Sequence, residues 1–412
     1  MGLARHAIET FVTRGLTAAM GVAITILVAR SLGPEGRGVF SAAMAMAAIG
    51  VQAGNLGLPS SNIYYASSNK RLIRTLIGNS LMIGFIGSGL LCLIAAGCFL
   101  LWPELAPLQG SILWISLLWV PIGIGLLLMQ NLLLGMHHVR SFNMVELLKQ
   151  AGTLIAICAA WVLGFNTPIE FFTASLLILF TAFIITTGYV IETDGNRPNV
   201  SFIVIREHAR YGMKAYLATF FAFLVLRIDL LMIQYIQGEE STGLYSVAVA
   251  LADVLYLAPI ALGTVLFPRL SAMQDRNQQW QLVIRAVGWM TLILSLLSGL
   301  LMLGSEWLLD LLFGEAYLPA LPAILILIPS VALLGINTIF MNYFAALGMP
   351  MFTVISPGLA TAINIPANYY LIPNFGIEGA AWASLGSYCF MLLLSLGYVW
   401  LLKKKRLEAE NE

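Results

Sequence analysis

The sequence predicts an all-α integral membrane protein, with twelve transmembrane helices in two pseudo-symmetric six-helix lobes. Three observations predict it. The 412 residues are 59% hydrophobic and only 10% charged, with a mean hydropathy of +0.89, whereas soluble domains carry roughly 25% charged residues. A chain so poor in charge cannot cover a water-facing surface, so its solvent is lipid. Twelve apolar runs each reach the length of about 20 residues that a bilayer crossing needs. Finally, the turn that joins the first two runs is written again half a chain later.

The runs lie near 8–30, 37–59, 76–101, 111–135, 144–164, 169–190, 212–236, 243–267, 283–310, 320–345, 351–373 and 377–402. Several contain proline, such as Pro121, Pro259, Pro329, Pro357 and Pro366. Bundled membrane helices tolerate this because neighbours and water satisfy the freed backbone groups. The first run follows Arg5 and contains Arg14, the outline of a signal peptide. Because this run and its turn recur later, it is expected to be a retained span. "MGLARH" carries His6 where a myristoylation signal needs Ser or Thr.

Lys and Arg set the orientation. With a cytoplasmic N-terminus, the inner side holds Arg5, Lys70, Arg71, Arg74, Arg140, Lys149, Arg197, Arg206, Arg210, Lys214, Arg269, Arg276, Arg285 and the run from Lys403 to Arg406. That is 17 of the 21 basic residues. The opposite turns, "WPELAPLQG", "GFNTPIE", "QGEES", "FGEAYLP" and "IPNFGIE", have none. The positive-inside rule then places both termini of the multi-pass chain in the cytoplasm. The expected domains are an N-terminal lobe over 1–190, a cytoplasmic linker over 191–210, a C-terminal lobe over 211–402 and a charged cytoplasmic tail over 403–412. "REHARYGMKAY" leaves an amphipathic helix on the inner leaflet open as an alternative for the linker.

The repeat organises the chain. "LGPEGRGVFS" at 32–41 and "IQGEESTGLYS" at 236–246 match at Gly33 and Gly238, Gly38 and Gly243, and Ser41 and Ser246, each pair 205 apart. "LLLGM" ending at Met136 and "AALGM" ending at Met349 close the fourth and tenth runs. "PIE" at 168–170 and "GIE" at 376–378 form a weaker third echo. Odd helices match odd helices, so the repeat is parallel. Two such lobes facing each other would enclose a cleft and give alternating access by rocking.

Ionisable residues inside the spans cost at least about 2.5–3.5 kcal/mol each near the bilayer centre, so each calls for a role. They are Arg14 in helix 1, Arg227 and Asp229 in helix 7, and Asp253 in helix 8. Glu146 and Lys149, three apart, read as a structural contact on one helix. Arg227 and Asp229 point about 200° apart. One reading pairs Arg227 with Asp253 between helices. The other gives the cleft a cation on each lobe, Arg14 and Arg227, suited to phosphate because the guanidinium fork stays charged and donates two hydrogen bonds. Asp229 and Asp253 are then candidates for ion coupling or for structural charge. The amides Asn79, Gln130, Asn131, Asn337, Asn342, Asn364 and Asn368 either join helices or bind sugar hydroxyls. Asn79, Gln130, Asn131, Asn364 and Asn368 are the candidates for the substrate path.

Other classes lack their signatures. No GxxxxGK[ST], HExxH or GxSxG pattern occurs. Net charge is +1, which offers nothing to nucleic acid. Cys92, Cys98, Cys158 and Cys389 sit in apolar runs without metal-ligand spacing, and His137 and His138 have no third ligand candidate beside them. No enzyme activity, cofactor or metal site is expected.

"LVARSLGPEGRGVFSAAMAM", "LRIDLLMIQYI…GLYSVAVALADVLYLAPIALGTVLFPRLS", "NYFAALGMPM" and "NYYLIPNFGIEGAAWASLGSY" resemble the bacterial polysaccharide-export, O-antigen-type flippase family of the multidrug/oligosaccharidyl-lipid/polysaccharide exporter superfamily. The resemblance covers most of the chain. It implies a V-shaped, MATE-like fold and a flippase that carries a polyprenyl-pyrophosphate-linked oligosaccharide to the outer leaflet. It also implies the lipid bilayer and polysaccharide polymerase or export proteins as partners. Arg14 matches in kind the cleft arginines of lipid-linked precursor flippases. Those relatives have fourteen spans, which speaks against peptidoglycan precursor as the substrate. The alternative within the fold is a proton- or sodium-coupled multidrug antiporter. Helices 1 and 2 hold no internal acidic residue to couple a cation, since Glu35 lies in the turn. A scaffold for a synthase complex is a third reading.

Overall fold

The computed structural model describes residues 2–195 and 197–411, with side chains for 9–195, 197–208, 211–404 and 408. Arg5, Arg210, Lys405 and Arg406 of the expected inner rim lie outside the described side chains. The chain forms α1 (Gly2–Gly54), α2 (Leu58–Ser68), α3 (Ile73–Met82), α4 (Ser88–Leu101), α5 (Ser111–Gly135), α6 (Val139–Val162), α7 (Pro168–Asp194), α8 (Phe202–Gln237), α9 (Glu239–Ala272), α10 (Arg276–Phe313), α11 (Leu321–Ala346) and α12 (Phe352–Asn411). No strand occurs among the described residues. An open sheet edge in hydrocarbon would leave its N–H and C=O groups without partners, and helices close theirs internally.

Among the described residues, ten helical stretches are long and apolar enough to cross a bilayer. Two are too long for one crossing. Glu9–Gly54 has 46 residues and Phe352–Lys404 has 53, about 70 and 80 Å at 1.5 Å per residue, against a hydrocarbon core of about 30 Å. Each is broken near its middle by a left-handed glycine, Gly33 (φ 66°) in α1 and Gly376 (φ 57°) in α12. Each break divides one stretch into two crossings, which gives the twelve expected. Gly238, the repeat partner of Gly33, is also left-handed (φ 88°) and separates α8 from α9. Glycine carries no Cβ penalty there. Pro34 follows Gly33 and opens the second crossing, where its missing N–H costs nothing.

Two elements depart from the expected runs. The second crossing ends at Gly54, not near 59, and α2 is a separate short helix. Asn55 bends the chain by accepting the Gly57 N–H at 3.0 Å, with Leu56 and Gly57 both at positive φ. The third crossing spans Lys70–Leu101 and contains a wide π-turn at Ile83–Gly87 between α3 and α4.

The chain divides into two compact units, residues 1–220 with 238–243, and 221–237 with 244–412. The division falls inside α8. In the first unit, most of α5 is buried. Its Leu126, Met129, Leu132 and Leu133 pack with Leu76 and Ile77 of α3 and Phe183 of α7. In the second unit, Val225, Leu334, Ala360, Tyr388 and Met391 form a core that brings together α8, α11 and α12. The fourth and tenth crossings, matched by the LGM echo, are α5 and α11, the crossings with the largest buried share.

The segment after α7 is strapped to the first unit. Asn199 N–H donates to the Arg74 carbonyl at 3.2 Å. Asn79 holds Ser201 twice, accepting its N–H at 2.8 Å and donating to its carbonyl at 3.2 Å. The His208 ring stacks on Tyr65 at 3.8 Å, and Tyr211 stacks on Tyr64 at 4.6 Å. The expected linker over 191–210 is therefore the end of α7, this short extended strap and the first turns of α8.

The repeated glycines have a second duty within the first unit. A methyl on Gly38 would collide with the Glu239 carbonyl, and a methyl on Gly243 with that of Pro34. Glu239 and Pro34 are themselves 205 apart, so the two copies of the turn meet in a mutual contact. Gly38→Ala and Gly243→Ala should each cost about 1–3 kcal/mol or more, because backbone cannot step aside as a side chain can. Gly89→Ala, with open space around its Cβ, should stay within about 0.5 kcal/mol. Thermal unfolding in detergent tests this, and equal melting temperatures for all three would refute the contact.

The strap should be pH-sensitive. Burial pushes the His208 imidazole from its ordinary 6.5 down to about 4. The docked state favours the neutral ring, so docking is at full strength above pH 6.5 and is lost as pH falls through 4. Hydrogen exchange of 202–208, corrected for intrinsic rates, should quicken over that window. His208→Phe, which keeps the stacking, should abolish the dependence.

Candidate functional site

A charge inside a lipid-facing helix must find a partner, a polar neighbour or a water-filled path. In the second unit, α8 brings two such charges. Arg227 and Asp229 are two residues apart and leave the helix in different directions, as their spacing requires. Arg227 Nη2 lies 3.0 Å from Asp253 Oδ2 on α9, the interhelical pair that the sequence allowed. Both side chains remain about one-third exposed. Asp229 is 2% exposed and has a different set of partners. Its carboxylate accepts from Tyr245 Oη at 2.6 Å, from its neighbour Leu230 N–H at 2.8 Å and, at 3.4 Å, from Ser384 Oγ. The group therefore counts one guanidinium to two carboxylates. Asp253 holds the ionic bond, and Asp229 rests on neutral donors.

Tyr245 and Ser384 were not legible as site residues, yet the repeat holds a signal. At the 205 offset, Tyr245 corresponds to Phe40, Asp229 to Ile24, Arg227 to Val22 and Asp253 to Ala48. The first copy is apolar at all four places. The second carries polar groups at all four, and its tyrosine hydroxyl meets its carboxylate.

An amide ladder lies in the same unit. Asn368 Nδ2 donates to Asn364 Oδ1 at 2.8 Å, and Asn364 Nδ2 donates to Ser387 Oγ at 3.2 Å. Both asparagines are fully buried, and Asn368 Oδ1 has no hydrogen-bond partner among the described residues. An orphan acceptor in a dry interior costs about 1–3 kcal/mol. Asn337 accepts from Ser395 Oγ at 2.7 Å on α12.

The first unit carries a second group. Gln130 Nε2 of α5 donates to Glu146 Oε1 of α6 at 3.0 Å. Lys149 Nζ lies 3.0 and 3.2 Å from the two carboxylate oxygens. The expected Glu146–Lys149 contact is thus present, with Gln130 added to it. Asn131 Nδ2 donates to the Leu127 carbonyl at 2.7 Å within its own helix. Asn79 is engaged with the strap. Arg14 is exposed on α1 and, among the described residues, forms no ion pair. The structure thus joins Arg227 to Asp253 and Asn364 to Asn368, while Asn79, Gln130 and Asn131 each keep separate partners.

The profile of the family described as polysaccharide biosynthesis protein matches residues 27–322. A probable low-salt glycan biosynthesis flippase of Haloferax volcanii is 24% identical over 213 residues, 51% of this chain and 44% of that protein. The chain spans just under half the length of the curated relatives it matches. Among solved structures, an inward-facing multidrug resistance MATE family transporter of the MOP superfamily superposes with a TM-score of 0.76 at 13% identity, covering 97% of this chain and 99% of the other. The lipid II flippase MurJ in an inward closed conformation gives 0.70 at 16% identity, covering 95% and 87%. At such identities the likeness is one of fold, and the fold is that of the MATE and MOP transporters.

The repeat comparison yields a sharp test. Tyr245→Phe leaves a buried carboxylate short of a donor and should cost about 1–3 kcal/mol. Tyr245→Phe with Asp229→Ile restores the apolar pair of the first copy and should recover most of that loss, since removing both partners is nearly neutral. Additive losses in thermal unfolding would show that the two side chains are not coupled.

Proposed function

Because the chain belongs to the family of polysaccharide biosynthesis proteins, we propose that it is a flippase. Its proposed cargo is a polyprenyl-pyrophosphate-linked oligosaccharide, a polysaccharide repeat unit, moved from the inner to the outer leaflet of a cytoplasmic membrane by alternating access. The observation that carries this reading is the polar chemistry kept inside membrane-spanning helices. Arg14 in the first unit and Arg227 in the second are each proposed as a cationic fork suited to phosphate oxygens. Asn131, Asn364 and Asn368 are the proposed amides for sugar hydroxyls, while Gln130 holds Glu146 and Asn79 holds the strap. The apolar outer faces offer a path for the isoprenoid tail. The glycan flippase relative and the lipid II flippase fold support the same class. Placing 17 of 21 basic residues on one side supports two cytoplasmic termini. The surplus carboxylate of the Arg227–Asp253–Asp229 group is the proposed place for a proton or sodium ion, should transport be ion-coupled. Polysaccharide polymerase and export proteins are the proposed protein partners.

The test is complementation in cells lacking the transporter, with membrane protein levels measured in parallel. Arg14→Ala and Arg227→Ala should each reduce surface polymer by about ten- to a hundredfold, the loss of a charge-assisted contact. Lipid-linked precursor should accumulate on the inner leaflet. Unchanged export at normal protein levels would overturn the assignment of these arginines. Drug efflux without precursor movement would favour the antiporter.

A further inference from the structure

Thr10, Arg14, Thr17 and Gly21 recur every three or four residues and form one stripe of α1. Asn143, Glu146 and Gln150 form one stripe of α6 by the same spacing. The stripes meet at both ends. Asn143 Nδ2 donates to Thr10 Oγ1 at 2.9 Å, and a Cβ on Gly21 would stand 3.3 Å from Gln150 Nε2. Residue numbers rise together across these meetings, so the helices run parallel. Arg14, one turn past Thr10, and Glu146, one turn past Asn143, both lie between the two meetings. All of these residues belong to the first unit.

We propose that Arg14 and Lys149 form a seat for a diphosphate, with Glu146 as a built-in competitor that holds Lys149 while the seat is empty. The identity of the anion rests on the flippase reading. The group carries two cations and one carboxylate, so it has one positive charge in excess. Arg14 is the exposed cation, and Lys149 is parked 3.0 Å from Glu146. A diphosphate offers oxygens to both cations at once and draws Lys149 away. Glu146 is then not left bare in a medium of low dielectric, because Gln130 of α5 continues to donate to it. This accounts for an amide from a second helix sitting on a carboxylate that already has an ion pair. When the anion departs, Lys149 returns to Glu146, and the exchange keeps release from leaving two unscreened cations.

The test uses the purified full chain in detergent, with binding of inorganic pyrophosphate and of a short-chain polyprenyl diphosphate followed by calorimetry. Arg14→Ala and Lys149→Ala should each weaken binding about tenfold or more. Lys149→Arg should retain it. Glu146→Gln should tighten it severalfold, a gain that a merely structural carboxylate would not produce. Pyrophosphate binding that responds in this way identifies the diphosphate itself as the ligand. A response confined to the polyprenyl compound would instead assign the seat to the lipid and overturn the proposal. So would Lys149→Ala binding as wild type does, or Glu146→Gln binding no tighter. Translocation of lipid-linked saccharide by wild type in phosphatidylethanolamine–phosphatidylglycerol vesicles is measured alongside. Transport with unaltered Lys149→Ala binding removes the seat and leaves the flippase. The expected binding changes without transport leave an anion seat and remove the flippase.

Discussion

Hydrocarbon offers no hydrogen bonds, so every turn of this chain that leaves helical geometry must do so where the backbone has another recourse. That constraint sets the positions of the special residues. Gly33, Gly238 and Gly376 adopt left-handed backbone at breaks between crossings. Asn55 closes the turn before α2 with its own side chain. The π-turn at Ile83–Gly87 stays within a helix. What remains between these points is apolar helix, and polar side chains inside it are few enough to be accounted for one by one.

The accounting separates the two units. The second holds Arg227, Asp229 and Asp253 at places where the first copy of the repeat is apolar. The first holds Glu146, Lys149 and Gln130, built on its own fourth and fifth crossings. Shared architecture therefore carries two different polar chemistries. The lobes of such a repeat need match only in backbone path, because side chains at equivalent positions face different neighbours.

Much of the architecture was legible in the sequence, since span length, charge bias and turn repetition are set by lipid thickness and backbone geometry, both local in the chain. The break at Gly33 could be placed to within a few residues for that reason. α2 could not, because Leu58–Ser68 is too short and too mixed to carry a periodic signal and is held by tertiary contacts such as Asn62 Nδ2 to Ser80 Oγ at 2.9 Å. The Arg227–Asp253 pair was legible as an alternative, since only two charges of opposite sign stood near each other on neighbouring spans. Tyr245 and Ser384 were not, because a hydroxyl in an apolar run looks the same whether it packs or binds. Asn79 illustrates the same limit: its amide is spent on the backbone of Ser201, more than a hundred residues away.

The mutual contact of the two turns has an informational consequence. Gly38 and Gly243 each press on the backbone of the other copy, so neither position can accept a side chain unless the opposite turn retreats. An added methyl at either glycine would therefore be felt by both copies of the turn. Positions such as Ile24 and Asp229, which face unlike surroundings, are free to drift apart. The two copies of the turn thus carry glycine at the very places where they touch.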